Sequence, residues 1–194
     1  MNVGGWIRKW SNLQPKKKAL YFEDHPFTYE EVNRRINQLC HLLLQSGVKK
    51  EDRVAVLLYN CHQYLDIFLG LSKIGATLVP LNWRLAEPEL EFILQDSGFR
   101  TLIFEPEFEE VVSSIRSRLN SSIVNYFTLG DPCSDWAVEY EKTIKKRPTH
   151  EPPGNGYFGD EDPHVYVQFV EELPKTASGK IQKFVLKEWH QTKK

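Results

Sequence analysis

The residue best suited to chemistry is a lysine in a polar turn near the end of the chain. Lys180 follows Ser178 and Gly179 within residues 174–181, PKTASGKI. A lysine on such a turn is a mobile cation, and its small neighbours leave the head group accessible. It can neutralise charge that develops on a phosphate or carboxylate oxygen. On spacing alone, a surface lysine in a loop is the commoner explanation.

A glycine pattern offers a second candidate. Residues 154–159, GNGYFG, match the GxGxxG spacing that can hold a pyrophosphate where a strand meets a helix N-terminus. Pro152 and Pro153 precede the pattern, and acidic residues from Asp160 follow it. Negative charge therefore stands where phosphate would lie, and we predict a plain linker.

The histidines and cysteines form no recognisable metal or nucleophile set. Cys40 and His41, like Cys61 and His62, are adjacent in predicted helices, where neighbouring side chains point about 100° apart. Neither pair can chelate a metal alone, and no GxSxG motif marks a serine nucleophile. With Cys133 the cysteine count is odd and lacks a CxxC spacing, which predicts a reducing, cytoplasmic setting.

Composition and charge exclude some classes of partner. A chain of 194 residues, 41% of them hydrophobic, can bury one substantial core. The formal net charge of -1 provides no overall field for nucleic acid or an anionic membrane, and no apolar stretch reaches the ~18 residues of a membrane span. Residues 6–10, WIRKW, would suit a membrane surface but are too short to anchor stably. We expect no nucleic acid partner and no transmembrane segment, and we predict that both tryptophans pack an N-terminal helix onto the domain.

The elements that must position any site alternate regularly between residues 28 and 128. Thr28 and Glu31 form a capping box before an apolar helical stripe, and residues 53–58 are typical of a strand covered on both faces. Asn60 is placed to cap the next helix. Further strands are predicted at residues 77–81, 101–104 and 123–128, with helices between them. This order predicts an α/β fold with a doubly wound, mostly parallel sheet.

Beyond Gly130 the pattern decays. Residues 148–163 are rich in proline, glycine and acids, as linkers are. Residues 165–170 predict a strand, and residues 182–190 predict a short helix. We therefore divide the chain into an α/β subdomain at 1–130, a linker at 131–163 and a short strand, loop and helix remnant at 164–194.

Three stretches resemble one family. Residues 174–181 resemble the closing signature of the adenylate-forming, AMP-binding superfamily, which comprises acyl-CoA synthetases, peptide-synthetase adenylation domains and luciferases. Residues 27–32, FTYEEV, resemble its first core motif. Residues 70–85, GLSKIGATLVPLNWRL, resemble the second in the form used by acyl-CoA synthetases. Similar stretches cover roughly residues 6–119 and 164–190.

The resemblance implies an acid–CoA ligase. In this family ATP and Mg²⁺ activate a carboxylic acid substrate to an acyl-adenylate, and the acyl group then passes to the thiol of coenzyme A. Lys180 matches the lysine of the mobile C-terminal domain that contacts carboxylate and phosphate oxygens during adenylation. The other two motifs are mainly structural in the family, so no catalytic role is implied for them.

The chain departs from the family in its middle. It has no Thr/Ser/Gly-rich loop ending in Pro-Lys-Gly, no Tyr-Gly-x-Thr-Glu segment and no complete Thr-Gly-Asp segment, which Phe158, Gly159 and Asp160 echo only faintly. The missing portion would fall between about residues 130 and 163. We expect Lys180 to be orphaned, and the chain to bind no ATP, Mg²⁺ or coenzyme A and not to catalyse alone.

Two alternatives remain open. The chain could be a noncatalytic α/β module whose exposed sheet edge pairs with a second copy, as a homodimer, or with an intact ligase. It could also be only half-stable, because removal of the middle uncovers apolar surface made to face it.

Overall fold

The computed structural model describes residues 3–119, 125–131 and 134–153, all within the unit Met1–Pro163. Six helices are found within these ranges: α1 (Val3–Leu13), α2 (Tyr29–Gln45), α3 (His62–Ile74), α4 (Glu87–Ser97), α5 (Glu109–Arg116) and α6 (Tyr140–Ile144). The strands there are β1 (Lys18–Phe22), β2 (His25–Thr28), β3 (Arg53–Leu57), β4 (Thr77–Pro80), β5 (Thr101–Phe104), β6 (Asn125–Thr128) and β7 (Val138–Glu139). None of the helices in the described ranges has the length and hydrophobicity of a transmembrane span.

The predicted α/β fold with a parallel sheet is confirmed. Five strands lie in the order β4-β3-β5-β6-β7, and every neighbouring pair is parallel. Val54 of β3 stands between Leu78 of β4 and Thr101 of β5. The chain thus runs outward from β3 to β4 and then crosses back to β5, so the strand order reverses beside β3. Strands β1 and β2 form a separate antiparallel hairpin.

Strand β3 shows why the sheet has two cores. Val54 and Val56 face a cluster shared with α2, α3 and α6, whereas Ala55 and Leu57 face a cluster shared with α4 and α5. Successive side chains of a strand point to opposite faces, so a strand covered on both sides must be apolar throughout. We call the first side the α2 layer and the second the α4 layer.

The capping box of α2 is confirmed. The Glu31 carboxylate accepts the Thr28 N–H at 2.7 Å, and the Thr28 hydroxyl accepts the Glu31 N–H at 3.2 Å. The prediction for Asn60 is wrong, because α3 begins one residue later than expected. Its N-cap is Cys61, whose side chain makes no capping hydrogen bond. At its other end α3 stops at Gly75, which adopts a left-handed φ of 72°.

The contact of α1 with the domain also differs from the prediction. Gly4 and Ile7 are its buried residues, and the Gly4 N–H donates to the Ser72 hydroxyl at 3.2 Å. Trp6 is mostly exposed, and Trp10 is covered only in part, by the ring of Tyr29. The small Gly4 brings the helix backbone close to α3, and this directs Trp6 away from the core.

Part of the stretch predicted as a linker carries secondary structure. Strand β7 adds to the sheet edge beside β6, and α6 buries Tyr140 and Ile144 completely in the core of the α2 layer. Two and five residues are too few for a repeating apolar pattern to emerge, which explains why the sequence did not reveal either element.

Candidate functional site

The site residues predicted near the end of the chain lie outside the described residues. These are Lys180, residues 154–159 and the triplet that starts at Phe158. The described part does contain the feature at which open α/β sheets bind ligands, namely the carboxyl ends of the two strands where the strand order reverses. Those strands are β3 and β5.

A carboxylate joins the ends of these two strands. The Tyr59 N–H, just beyond β3, donates to Oε1 of Glu105 at 2.8 Å, and the Glu105 N–H donates to the Leu57 carbonyl at 3.2 Å. Burial raises the pKa of Glu105, although the hydrogen bond from Tyr59 opposes the shift. Glu105 therefore holds the rim of the crevice together and adds negative charge to it.

Aromatic rings lie along the same rim. The ring of Tyr59 lies 5.0 Å from the ring of Trp83 and 5.0 Å from that of Phe108, centroid to centroid. The Arg84 guanidinium lies 4.1 Å from the centre of the Trp83 ring, a cation–π contact. Because these rings contact one another, they form an apolar cluster next to the strand ends.

A shallow depression lies beside this cluster. Its lining is mostly apolar and comes from the first turns of α3: Asn60, Cys61, Tyr64, Leu65 and Phe68. Burial raises the pKa of the Cys61 thiol. A thiol so shifted is mostly protonated at neutral pH and is a weak nucleophile, so the depression offers a small apolar surface and no activated group.

The rim carries charge of both signs. Glu105 joins the strand ends with Glu107 close enough to raise its pKa further, and the Arg84 guanidinium lies over Trp83. Across the described ranges, no three His, Cys, Asp or Glu side chains are grouped to hold a metal ion.

A network of charged side chains lies instead within the α2 layer. Arg35 of α2 donates to Asp66 of α3 at 2.8 Å and to both oxygens of Glu141 of α6, at 2.7 and 3.1 Å. The Asp66 side chain is 2% exposed, and burial raises its pKa to about 7 although Arg35 opposes the shift. This trio joins three helices.

A second buried cluster surrounds Lys73 of α3. Its ammonium donates to Asn37 at 2.5 Å, to Asn33 at 3.0 Å and to Glu151 at 2.7 Å. Burial lowers the pKa of Lys73. Burial alone would raise the pKa of Glu151, but hydrogen bonds from Lys73 and Asn33 hold it below its ordinary value. The Asn37 amide also donates to the Thr149 carbonyl at 2.8 Å, so the cluster binds the end of the described chain to α2.

Sequence analysis did not find either cluster. A signal was present, since Asn33 and Asn37 are one helical turn apart beside the apolar stripe of α2, and Lys73 lies within residues 70–85. Polar residues so close to a buried stripe indicate a polar partner. That partner, Glu151, lies in a segment without any pattern of its own.

Comparison with known proteins finds relatives of the chain and a family model that covers these residues. The family model described as AMP-binding enzyme matches residues 7–167. A fatty acid–[acyl-carrier-protein] ligase, ScoC, of Streptomyces coeruleorubidus is 38% identical over 133 residues, which are 69% of this chain and 25% of the relative. A long-chain-fatty-acid–CoA ligase, FadD13, of Mycobacterium tuberculosis is 37% identical over 120 residues, which are 60% of this chain and 24% of the relative. The chain thus spans about a quarter of the length of these curated relatives.

Solved structures agree with the fold. An anthranilate CoA ligase, AuaEII, solved with anthranoyl-AMP, superimposes with a TM-score of 0.73 and 27% identity over 79% of this chain and 30% of that one. A Mycobacterium tuberculosis fatty acyl CoA synthetase superimposes with a TM-score of 0.66 and 28% identity over 78% of this chain and 29% of that one. The five-stranded sheet and its helices match the N-terminal subdomain of adenylate-forming enzymes.

Proposed function

The chain belongs to the family of AMP-binding enzymes, and we propose that it is an acid–CoA ligase without the nucleotide-binding middle, unable to form an acyl-adenylate alone. The proposal keeps a C-terminal remnant at 164–194, with Lys180 as an orphaned adenylation lysine, and extends the α/β subdomain past residue 130 to include β7 and α6. In this proposal the family's ATP, Mg²⁺, coenzyme A and carboxylic acid are not bound productively by the isolated chain.

The observation that carries the proposal is that the family's three nucleotide segments are missing from the sequence. The carboxylate of Glu105 at the strand ends supports it. One positioned charge such as Lys180 lowers a barrier by ~3 to 4 kcal/mol, whereas orientation of the reactants supplies ~7 to 11. The larger contribution is the one that this chain lacks.

Pyrophosphate exchange tests the proposal directly. The purified chain is incubated with ATP, Mg²⁺, labelled pyrophosphate and either a fatty or an aromatic acid, beside an intact acyl-CoA synthetase as positive control. We expect no acid-dependent label in ATP, and the same background for Lys180→Ala. Exchange above background that disappears in Lys180→Ala would overturn the proposal.

The setting proposed for the chain is the cytoplasm. Cys40 and Cys61 are free thiols, and Cys40 is buried with its pKa raised by burial to about 12. Thiols kept reduced suit a reducing compartment. Fractionation of the expressing cells with an epitope-tagged chain checks this, and a signal confined to a secreted fraction would count against it.

The rival function is an interaction module that pairs through the edge strand β4 of the described sheet. Thr77 and Leu81 donate their N–H groups inward, to the carbonyls of Asp52 and Val56, so Leu78 and Pro80 turn toward the free edge. Pro80 has no N–H, so the Leu78 N–H is the single outward donor within β4. One donor is too few to pair well with an added strand, which counts against the interaction module.

Light scattering after size exclusion separates the two functions. We expect a monomer. A homodimer that dissociates in Leu78→Pro, which removes the remaining outward donor, would favour the interaction module instead.

A further inference from the structure

An apolar stripe runs along the outer side of α1. Trp6, Trp10 and Leu13 are 52%, 40% and 61% exposed, and their i, i+4, i+7 spacing places them along one side of the helix. The ring of Trp10 stacks on Tyr29 at 5.9 Å with an interplanar angle of 26°, which fixes one of its faces and leaves the other outward. The buried contact of the helix comes from Gly4 and Ile7, so the stripe is not needed to hold α1 in place.

Positive charge lies close to the stripe along the chain. Residues 3–18 contain five basic and no acidic residues, in a chain whose formal net charge is -1. All five basic side chains are exposed: Arg8, Lys9, Lys16, Lys17 and Lys18. The three lysines lie in and just after the turn that follows α1, and Lys18 lies close enough to Glu31 to contribute to the lowering of its pKa. We call residues 3–18 the N-terminal patch.

We propose that the N-terminal patch docks reversibly on an anionic lipid surface. Exposed Trp and Leu side chains enter the boundary between headgroups and acyl chains, and each nearby lysine or arginine is attracted by the negative surface potential. An 11-residue helix with three exposed apolar side chains is too small to hold a membrane alone. Docking therefore requires the stripe and the cations together, and it weakens as salt rises.

The stripe distinguishes lipid from nucleic acid as the partner. Phosphates of a duplex attract cations, but contact with them gives no reason for Trp6, Trp10 and Leu13 to form an outward apolar row next to the lysines. An anionic lipid interface binds both the apolar side chains and the cations at the same surface. The inference does not depend on the proposed loss of ligase activity.

Vesicle sedimentation of the full chain tests the docking. The probes are vesicles of pure phosphatidylcholine and vesicles of equal parts phosphatidylcholine and phosphatidylglycerol. We expect co-sedimentation with the anionic vesicles only, together with a blue shift of tryptophan emission, and loss of both effects at high salt.

Matched variants locate the surface. Lys16→Gln/Lys17→Gln should weaken partition roughly thirtyfold, whereas Lys145→Gln/Lys146→Gln, equally exposed lysines near the far end of the described chain, should not change it. Trp6→Ser should weaken partition roughly tenfold, whereas Phe92→Ser, on the exposed side of α4, should not. Circular dichroism of each variant establishes that it is folded.

Three outcomes would overturn the proposal. They are no binding to anionic vesicles at low salt, equal losses in the control variants, and binding to duplex DNA without binding to vesicles. The last would assign the cations to nucleic acid instead of lipid.

Discussion

The two helix layers on the sheet place their charges differently. In the α2 layer, Arg35 joins the buried Asp66 and the partly buried Glu141 in a trio that connects residues 106 apart in sequence. In the α4 layer, Arg118 joins Glu87 and Glu91 at the surface, with 43% of the arginine side chain exposed. Buried pairs are costly unless every partner is present, whereas exposed pairs contribute little. The charges of the α2 layer therefore join the late chain to helices against which Tyr140 and Ile144 also pack, whereas those of the α4 layer stay at the surface.

The largest expected effect comes from removing the cation of this trio. Arg35→Met leaves the Asp66 and Glu141 carboxylates without their cation in the interior. We expect the free energy of unfolding to fall by about 3–5 kcal/mol, the usual result of breaking a buried ion pair from one side. Urea denaturation at pH 8, above the pKa of about 7 of Asp66 in the folded chain, followed by circular dichroism, measures the change.

The matched control lies in the other layer. Arg118→Met removes the same side chain from an exposed pair and should leave the denaturation midpoint nearly unchanged. In the α2 layer, Arg35→Met/Asp66→Leu should recover part of the loss, because Asp66 is then no longer a buried unpaired carboxylate. Equal losses for Arg35→Met and Arg118→Met would remove the distinction between the layers.

The second prediction concerns pH and Asp66. Its pKa is about 7 in the folded chain, above the value of an unfolded aspartate. The folded state therefore binds more protons between those two values, so this contribution to stability is complete in acid and is lost as pH rises toward 7. Asp66→Asn cannot titrate. The stability of the wild type minus that of Asp66→Asn should fall by about 2–3 kcal/mol between pH 5 and pH 7.5.

Denaturation curves of both proteins at a series of pH values provide the measurement. Subtraction removes the other titrating groups, which the two chains share. A difference that stays constant over this range would mean that Asp66 remains ionised beside Arg35 throughout, and that Arg35 outweighs the burial of the carboxyl.

The third prediction concerns the end of the described chain. Glu151→Gln removes the anionic partner of Lys73 but leaves Asn33 and Asn37 as acceptors. We expect a loss of about 1–3 kcal/mol, smaller than for Arg35→Met. Proteolysis near residues 148–153 should also become faster, because this cluster binds that segment to α2.

The control for Glu151→Gln is Asp131→Asn, which removes a carboxylate from an exposed pair with Lys142. This variant should leave both stability and proteolysis unchanged. A Glu151→Gln chain that resists proteolysis as well as the wild type would show that Asn37 and His41, which contact the carbonyls of Thr149 and His150, hold the segment without the ion pair.

These differences also show how far sequence alone could reach. Long periodic segments such as α2, and apolar runs such as β3, predicted the parallel sheet because their pattern reflects burial directly. Tyr140 and Ile144 are equally buried, but α6 is too short for a period to appear. The partners of Arg35 and Lys73 could not be predicted, because an ion pair between distant residues depends on the docking of α6 and of Glu151. The crevice between β3 and β5 could be recognised only once the strand order was known. No motif in the sequence indicated that Glu105 would join the ends of these strands.

The smallest effects should come from the starts of the two longest helices in the opposed layers. Thr28 and Ala86 precede α2 and α4 with similar backbone angles, φ -80° and ψ 163° against φ -70° and ψ 157°. Glu31 and Glu89 each accept the N–H of the cap residue, but only Thr28 has a hydroxyl that can accept in return. Thr28→Ala should therefore cost about 1 kcal/mol, and Ala86→Thr should gain up to about that amount. Thermal melts of the two variants measure opposite shifts of similar size. Ala86→Thr could raise the melting temperature while Thr28→Ala leaves it unchanged. This result would mean that tertiary contacts of the α2 layer hold Tyr29 in the helix without its cap. It would strengthen the contrast between the layers.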